Sequence, residues 1–144
     1  MENLLFDTNI LIYYIRKDAN WQTISTTFDL DNSFNCLSVV SLGELYALGL
    51  RNNWGEKRLK QIDIIKQNFT IIDINIDPII HRYADIDAFS QGKHTTLSSN
   101  SSSRTMGKND LWIAATASVY DLTLLISDKD FDHLDSVYLK LGRW

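Results

Sequence analysis

Short apolar runs alternate with helix-patterned segments along almost the whole chain, and polar or small helix-starting residues follow the first of them. That alternation leaves few folds open. Strands joined through helices cannot pair as tight hairpins; they pair in parallel, with helices covering the sheet. The sequence therefore predicts an α/β fold, a single domain over residues 1–144 with a mostly parallel central sheet of about five strands flanked by helices. The strands are read at Asn3–Phe6, Phe34–Ser38, Phe69–Asp73, Leu122–Ser127 and Val137–Leu141. Helices are expected over Ile10–Ile15, Trp21–Leu30, Val39–Arg51, Glu56–Gln67, Asp77–Gln91 and Asn109–Tyr120, with a helical turn at Asp130–Leu134. Pro78 suits the first turn of its helix, and Asn109 reads as the N-cap of the last long one.

One stretch breaks the pattern. Gly92–Thr105 holds Ser98, Ser99, Ser101, Ser102 and Ser103 and reads as a mobile surface loop. The single cysteine, Cys36, cannot form an internal disulfide, and its apolar surroundings predict a buried free thiol. The start, Met1-Glu2-Asn3-Leu4-Leu5-Phe6-Asp7, lacks the basic region of a signal peptide, and no apolar run approaches a membrane span. A cytoplasmic location is expected, with no membrane partner.

Topology then brings four acids together. In a parallel sheet every strand delivers its chain to one edge, and ligands bind outside the carboxyl ends. Asp7 closes the first strand, and Asp128 closes the strand ending at Ser127. Glu44 lies about one turn into the helix after the second strand, and Asp110 opens the helix beginning at Asn109. Gathering like charges costs several kcal/mol in a low-dielectric cleft unless something positive compensates. A hard divalent cation does so, and an all-carboxylate set without Cys or His suits Mg²⁺ or Mn²⁺. Such an ion activates water and stabilises charge on a phosphoryl group, so phosphodiester hydrolysis fits this edge.

Each acid also has a structural explanation. Asp7 would cap the following helix, Ser41-Leu42-Gly43-Glu44 matches a capping box, Asp110 is an ordinary first-turn acid, and Asp128 would cap the turn before Phe131. A phosphatase with an aspartyl nucleophile at Asp7 is disfavoured, because Asn9 stands where a second aspartate is needed. The net charge of −4 is unusual for a protein that handles nucleic acid. The four acids account for all of it, so the remainder is neutral.

These residues resemble the PIN-domain family, and within it the toxin component of VapBC-type toxin–antitoxin pairs. The resemblance rests on Leu5-Phe6-Asp7-Thr8-Asn9-Ile10-Leu11, Ser38-Val39-Val40-Ser41-Leu42-Gly43-Glu44-Leu45, Asn109-Asp110-Leu111-Trp112-Ile113-Ala114-Ala115 and Leu124-Leu125-Ile126-Ser127-Asp128-Lys129-Asp130-Phe131, in that order. It implies a PIN fold and cleavage of RNA by a metal-dependent endoribonuclease, with Mg²⁺ or Mn²⁺ held at Asp7, Glu44, Asp110 and Asp128. It also implies a homodimer and a small antitoxin protein that covers the cleft. The alternative is a PIN-like module that binds a metal or partner without cutting. Ser127 stands where the family usually has Thr, and Asp130 competes with Asp128 as the fourth acid.

Around the acids, Thr8, Asn9, Ser41, Asn109, Ser127 and Asp130 are candidates to orient carboxylates or bound water. Arg104 and Lys108 are candidates for RNA phosphate contacts. His81, His94 and His133 show no metal-ligand spacing. Lys57, Arg58, Lys60 and Lys66 read as a solvated face, and Trp112, with Leu111 and Ala115, as core or dimer contact.

Overall fold

The computed structural model describes residues 1–98 and 102–144. Its five strands are β1 (Asn3–Phe6), β2 (Phe34–Ser38), β3 (Thr70–Ile72), β4 (Thr123–Leu125) and β5 (Lys140–Gly142). All pair in parallel, in the spatial order β3-β2-β1-β4-β5. The helices are α1 (Thr8–Ile15), α2 (Ala19–Thr27), α3 (Val39–Arg51), α4 (Glu56–Asn68), α5 (Asp77–Ser90) and α6 (Lys108–Tyr120).

The strands are apolar on both sides because both sides are covered. Leu4 and Phe6 of β1 pack with Leu37, Leu125 and the buried faces of α1 to α4, including Ile10, Ile24, Leu45 and Ile62. Leu5 points the other way, with Cys36 and Leu124, against Ile79 and Phe89 of α5 and Ile113 of α6. Cys36 is fully buried, and burial pushes its thiol up to about 11, as expected of an inert structural cysteine. α6 is buried nearly all round, and its Ala114, Ala115 and Ala117 allow close approach to the sheet and to α5. Among the described residues no helix is long and apolar enough to cross a membrane.

Several boundaries depart from the sequence reading. α6 begins at Lys108 with Gly107 as its N-cap, since the Leu111 amide donates to the Gly107 carbonyl at 3.0 Å; Asn109 is already inside the helix. α2 stops at Thr27, and Asp29 turns left-handed (φ 49°) into a 3₁₀ turn at Leu30–Asn32. β4 ends at Leu125, three residues before Asp128. The helical turn near residue 130 is 3₁₀ and narrower, Asp132–Leu134. Val137 is half exposed in a turn, its amide donating to the Leu134 carbonyl at 3.1 Å after Ser136 (φ 61°), so the final strand starts only at Lys140.

The expected mobile loop at 92–105 falls partly outside the described residues. Its flanks are tied down. The Arg104 amide donates to the Ser90 carbonyl at 2.8 Å, and the Ser103 hydroxyl donates to the Gln91 carbonyl at 2.8 Å. The His94 imidazole contacts Asp85 of α5 through Nε2, while its Nδ1 accepts from the amides of Thr96 and Leu97. Both flanks therefore run anchored along the end of α5.

Candidate active site

The chain runs from β1 outward through β2 to β3, then returns to β4 on the other flank of β1. Connections diverge at that point, and a crevice opens at the carboxyl ends of β1 and β4. Asp7 sits in it. Its backbone amide donates to the Leu125 carbonyl at 3.1 Å, extending the β1–β4 ladder by one bond and fixing the residue between the two strand ends. The residue is 4 % exposed.

Burial raises the Asp7 carboxyl to about 7, and Asp110, Asp128 and Glu44 add to the rise by repulsion. The first amide of α1, on Thr8, opposes it without closing a capping hydrogen bond, so Asp7 is no ordinary side-chain cap. Asp110, in the first turn of α6, is held up to about 6 by burial, then by Asp128, Asp130 and Glu44. The four acids separated in sequence thus lie within electrostatic reach of one another. Asp128 bears on both Asp7 and Asp110, whereas Asp130 bears on Asp110 alone. Asp128 also accepts the Asp130 amide at 2.9 Å, so its turn-forming role and its place at the cluster coexist.

The capping-box explanation of Glu44 fails. α3 is capped by Ser38, whose hydroxyl accepts from the Val40 amide at 3.1 Å, and Ser41 lies inside the helix, fully buried. Glu44 instead accepts from the Thr8 hydroxyl at 2.8 Å, and that hydroxyl lies 3.0 Å from Ser41 Oγ. A carboxylate only accepts, so the Thr8 proton goes to Glu44 and the Thr8 oxygen is left to accept from Ser41. Ser41, Thr8 and Glu44 form a relay that aims the carboxylate from α3 across to the end of β1.

The remaining candidates divide. Arg104 lies beside Asp110 and Asp130 in a cavity of about 330 Å³. Lys108 is exposed at the start of α6 and reaches neither this cavity nor the larger one. Asn9 and Asn109, both exposed, line the larger cavity of about 620 Å³ on the Glu44 side. Ser127 is exposed, and among the described residues its side chain makes no hydrogen bond to the acids. Trp112 bears out part of the sequence reading and adds to it. Leu111 and Ala115 are core, and Trp112 packs partly buried against that core while also lining the larger cavity. The signal was available: Trp112 follows Asn109 by three residues, hence shares its helix face.

As the side chains stand, no three acidic, His or Cys groups among the described residues converge on one point. A hard divalent cation does not require them to. Mg²⁺ keeps several waters and is held through one or two carboxylates with substrate phosphate oxygens. Two carboxyls raised toward neutrality by burial and mutual repulsion are the donor set that such a charge would relieve.

A family model for the PIN domain matches residues 4–137. No relative among curated protein sequences matches. Among solved structures, the chain is similar to VapBC2 from Rickettsia felis bound to a promoter DNA fragment (TM-score 0.76, 22 % identity, 98 % of each chain covered). It is also similar to VapBC-1 from nontypeable Haemophilus influenzae (TM-score 0.73, 22 % identity, 98 % of this chain and 97 % of that one). A third is FitAcB from Neisseria gonorrhoeae (TM-score 0.70, 22 % identity, 96 % and 95 % covered). At this identity the likeness speaks to the fold.

Proposed function

The chain belongs to the PIN domain family, and on that premise we propose that it is a Mg²⁺- or Mn²⁺-dependent endoribonuclease, the toxin of a toxin–antitoxin pair. The observation that carries the reading is the raised pair Asp7 and Asp110, at about 7 and 6, brought from β1 and α6 to the switch point of the sheet. Asp7, Glu44 and Asp110 would hold the cation directly, and Asp128 would hold it through water. The bound ion supplies an activated water and neutralises charge developing on the phosphoryl group. The chain's own residues do the rest. Thr8 and Ser41 fix the Glu44 carboxylate. Arg104, beside Asp110, is suited to a substrate phosphate. A small antitoxin protein as partner, and a homodimer, are part of the same proposal; for the antitoxin it is supported by the likeness to VapBC-5 from Mycobacterium tuberculosis, a member of the VapBC family of toxin–antitoxin systems.

The test is cleavage of labelled single-stranded and structured RNA by purified, partner-free chain in Mg²⁺, Mn²⁺ or EDTA. Cleavage is expected with either metal and not in EDTA, and Asp7→Asn and Asp110→Asn should each abolish it. Cleavage that survives both substitutions sinks the proposal. The lack of three converging ligands among the described residues favours a second reading, a module that binds metal or a partner without cutting. Intact RNA under every condition, together with calorimetric Mn²⁺ binding, would select that reading.

A further inference from the structure

The larger cavity starts at Glu44 and is not lined by the other three acids. One stripe of α3 forms its wall, from Val40 and Glu44 through Leu48 to Arg51. Glu44 and Arg51 are seven residues apart, so the acid and the cation stand about 10 Å apart along one helix face. Ile12 of α1 and Leu48 give the groove an apolar floor, and α6 contributes the Trp112 indole beside the Asn109 amide. Tyr83 of α5 lies against the indole at 4.3 Å between ring centroids, a tilted contact that backs the ring from the α5 side. Arg51 is exposed and, among the described residues, in no ion pair.

An aromatic face, an amide at its edge, an apolar floor and an unpaired guanidinium at the far end make up a nucleotide site. We propose that the groove holds an unpaired nucleotide of single-stranded RNA next to the scissile phosphate. Its base stacks on Trp112, and Asn109 meets the base edge. Arg51 contacts a phosphate further along the strand. This rests on the ribonuclease reading for its substrate but assigns a separate surface to it. Stacking tolerates any base, whereas an amide donates and accepts in fixed positions, so Trp112 supplies affinity and Asn109 preference.

The experiment measures binding of a fluorescein-labelled single-stranded RNA decamer to the Asp7→Asn chain, where cleavage does not interfere, and cleavage by the otherwise unaltered chain in parallel. Trp112→Ala should weaken decamer binding about tenfold, the loss of one base–aromatic stack, and Trp112→Phe should recover most of it. A decamer with one abasic ribose at the stacked position should bind equally to chains with and without the Trp112→Ala substitution. Arg51→Gln should flatten the salt dependence. In cleavage, the Trp112→Ala loss should appear in KM more than in kcat. Unchanged binding by Trp112→Ala, with cleavage intact, overturns the groove proposal and leaves the ribonuclease reading standing. So does an equal loss on intact and abasic decamers, or a loss confined to binding of a protein partner. Trp112-dependent binding without any cleavage by the unaltered chain supports the groove and overturns the ribonuclease reading. No binding and no cleavage overturns both.

Discussion

Asp7 is 4 % exposed, and its carboxyl is raised from an ordinary 3.8 to about 7. At pH 8 without metal it is ionised at a cost that the unfolded chain does not bear. One tenfold step in acidity is about 1.36 kcal/mol, so holding this one charge in place costs the fold about 4 kcal/mol as a ceiling. The folded state binds its proton more tightly than the unfolded state between about pH 4 and pH 7. Its contribution to stability therefore falls as pH rises through that window and stays low above it. Asp7→Asn keeps the shape and removes the charge. The amide still needs partners in a buried place, which takes back about 1–3 kcal/mol. The metal-free Asp7→Asn chain should accordingly be more stable than the unaltered chain at pH 8 by about 1–3 kcal/mol, and no more stable near pH 4. Burial lowers His133 from its ordinary value, which acts on the absolute stability in the opposite direction, so the comparison is the difference between the two chains at each pH. Urea unfolding in EDTA, followed by far-ultraviolet circular dichroism at both pH values, measures it. Millimolar Mn²⁺ should reverse the order at pH 8, by stabilising the chain that keeps its carboxylate. An Asp7→Asn chain less stable than its parent at pH 8 in EDTA would refute the reasoning, because the buried charge would then not be a burden.

Other outcomes follow from the same geometry. Thr8→Val removes the donor to Glu44 and leaves the fully buried Ser41 hydroxyl without its neighbour, so RNA cleavage should fall about 10- to 100-fold, with Thr8→Ser restoring most of it. Asp128 bears on both Asp7 and Asp110 while Asp130 bears on Asp110 alone, so Asp128→Asn should reduce cleavage far more than Asp130→Asn under matched metal. Gly142→Ala would put a Cβ 2.6 Å from Leu125 Cδ2 and 3.1 Å from the Phe28 ring, and thermal melting should show a loss of about 1–3 kcal/mol.

The elements that pattern alone can specify lie at their expected limits. β2 and α3 match residue for residue, since Ser38 is both the last strand residue and a strong N-cap. The short edge strand β5 starts later than its pattern suggests, because Val137 and Tyr138 look like strand residues while a left-handed Ser136 turns the chain there first. Gly107 as an N-cap is hidden beside Asn109, a better capping residue by type, because the choice is made by where the carbonyl of residue 107 finds a partner. The acids are legible for a different reason. Their gathering follows from topology, which alternation dictates, and not from any local propensity. Glu44 needs the fold: its local motif reads as a capping box, and only the contact with Thr8 from another element removes that explanation. Trp112 shows the limit. An aromatic on a mostly buried helix is usually core, and which side of α6 opens to the cavity depends on how α1 and α3 pack beside it.

The proposed ribonuclease activity would bring a polyanion to an acidic chain, and the arrangement meets that electrostatic problem locally. Four of the 18 acidic residues, as many as the net charge of −4, gather near the strand ends, where a divalent ion would turn their field from repulsive to attractive for phosphate. Arginines flank that point on both sides: Arg104 across Asp110 in the smaller cavity, and Arg51 at the far end of the larger one. On the proposed reading, attraction for RNA would come from two guanidiniums, one bound ion and one stacking surface, not from a basic field over the whole molecule. Affinity built this way would depend on metal and on unpaired bases more than on net charge, so the overall acidity of the sequence does not argue against the proposed function.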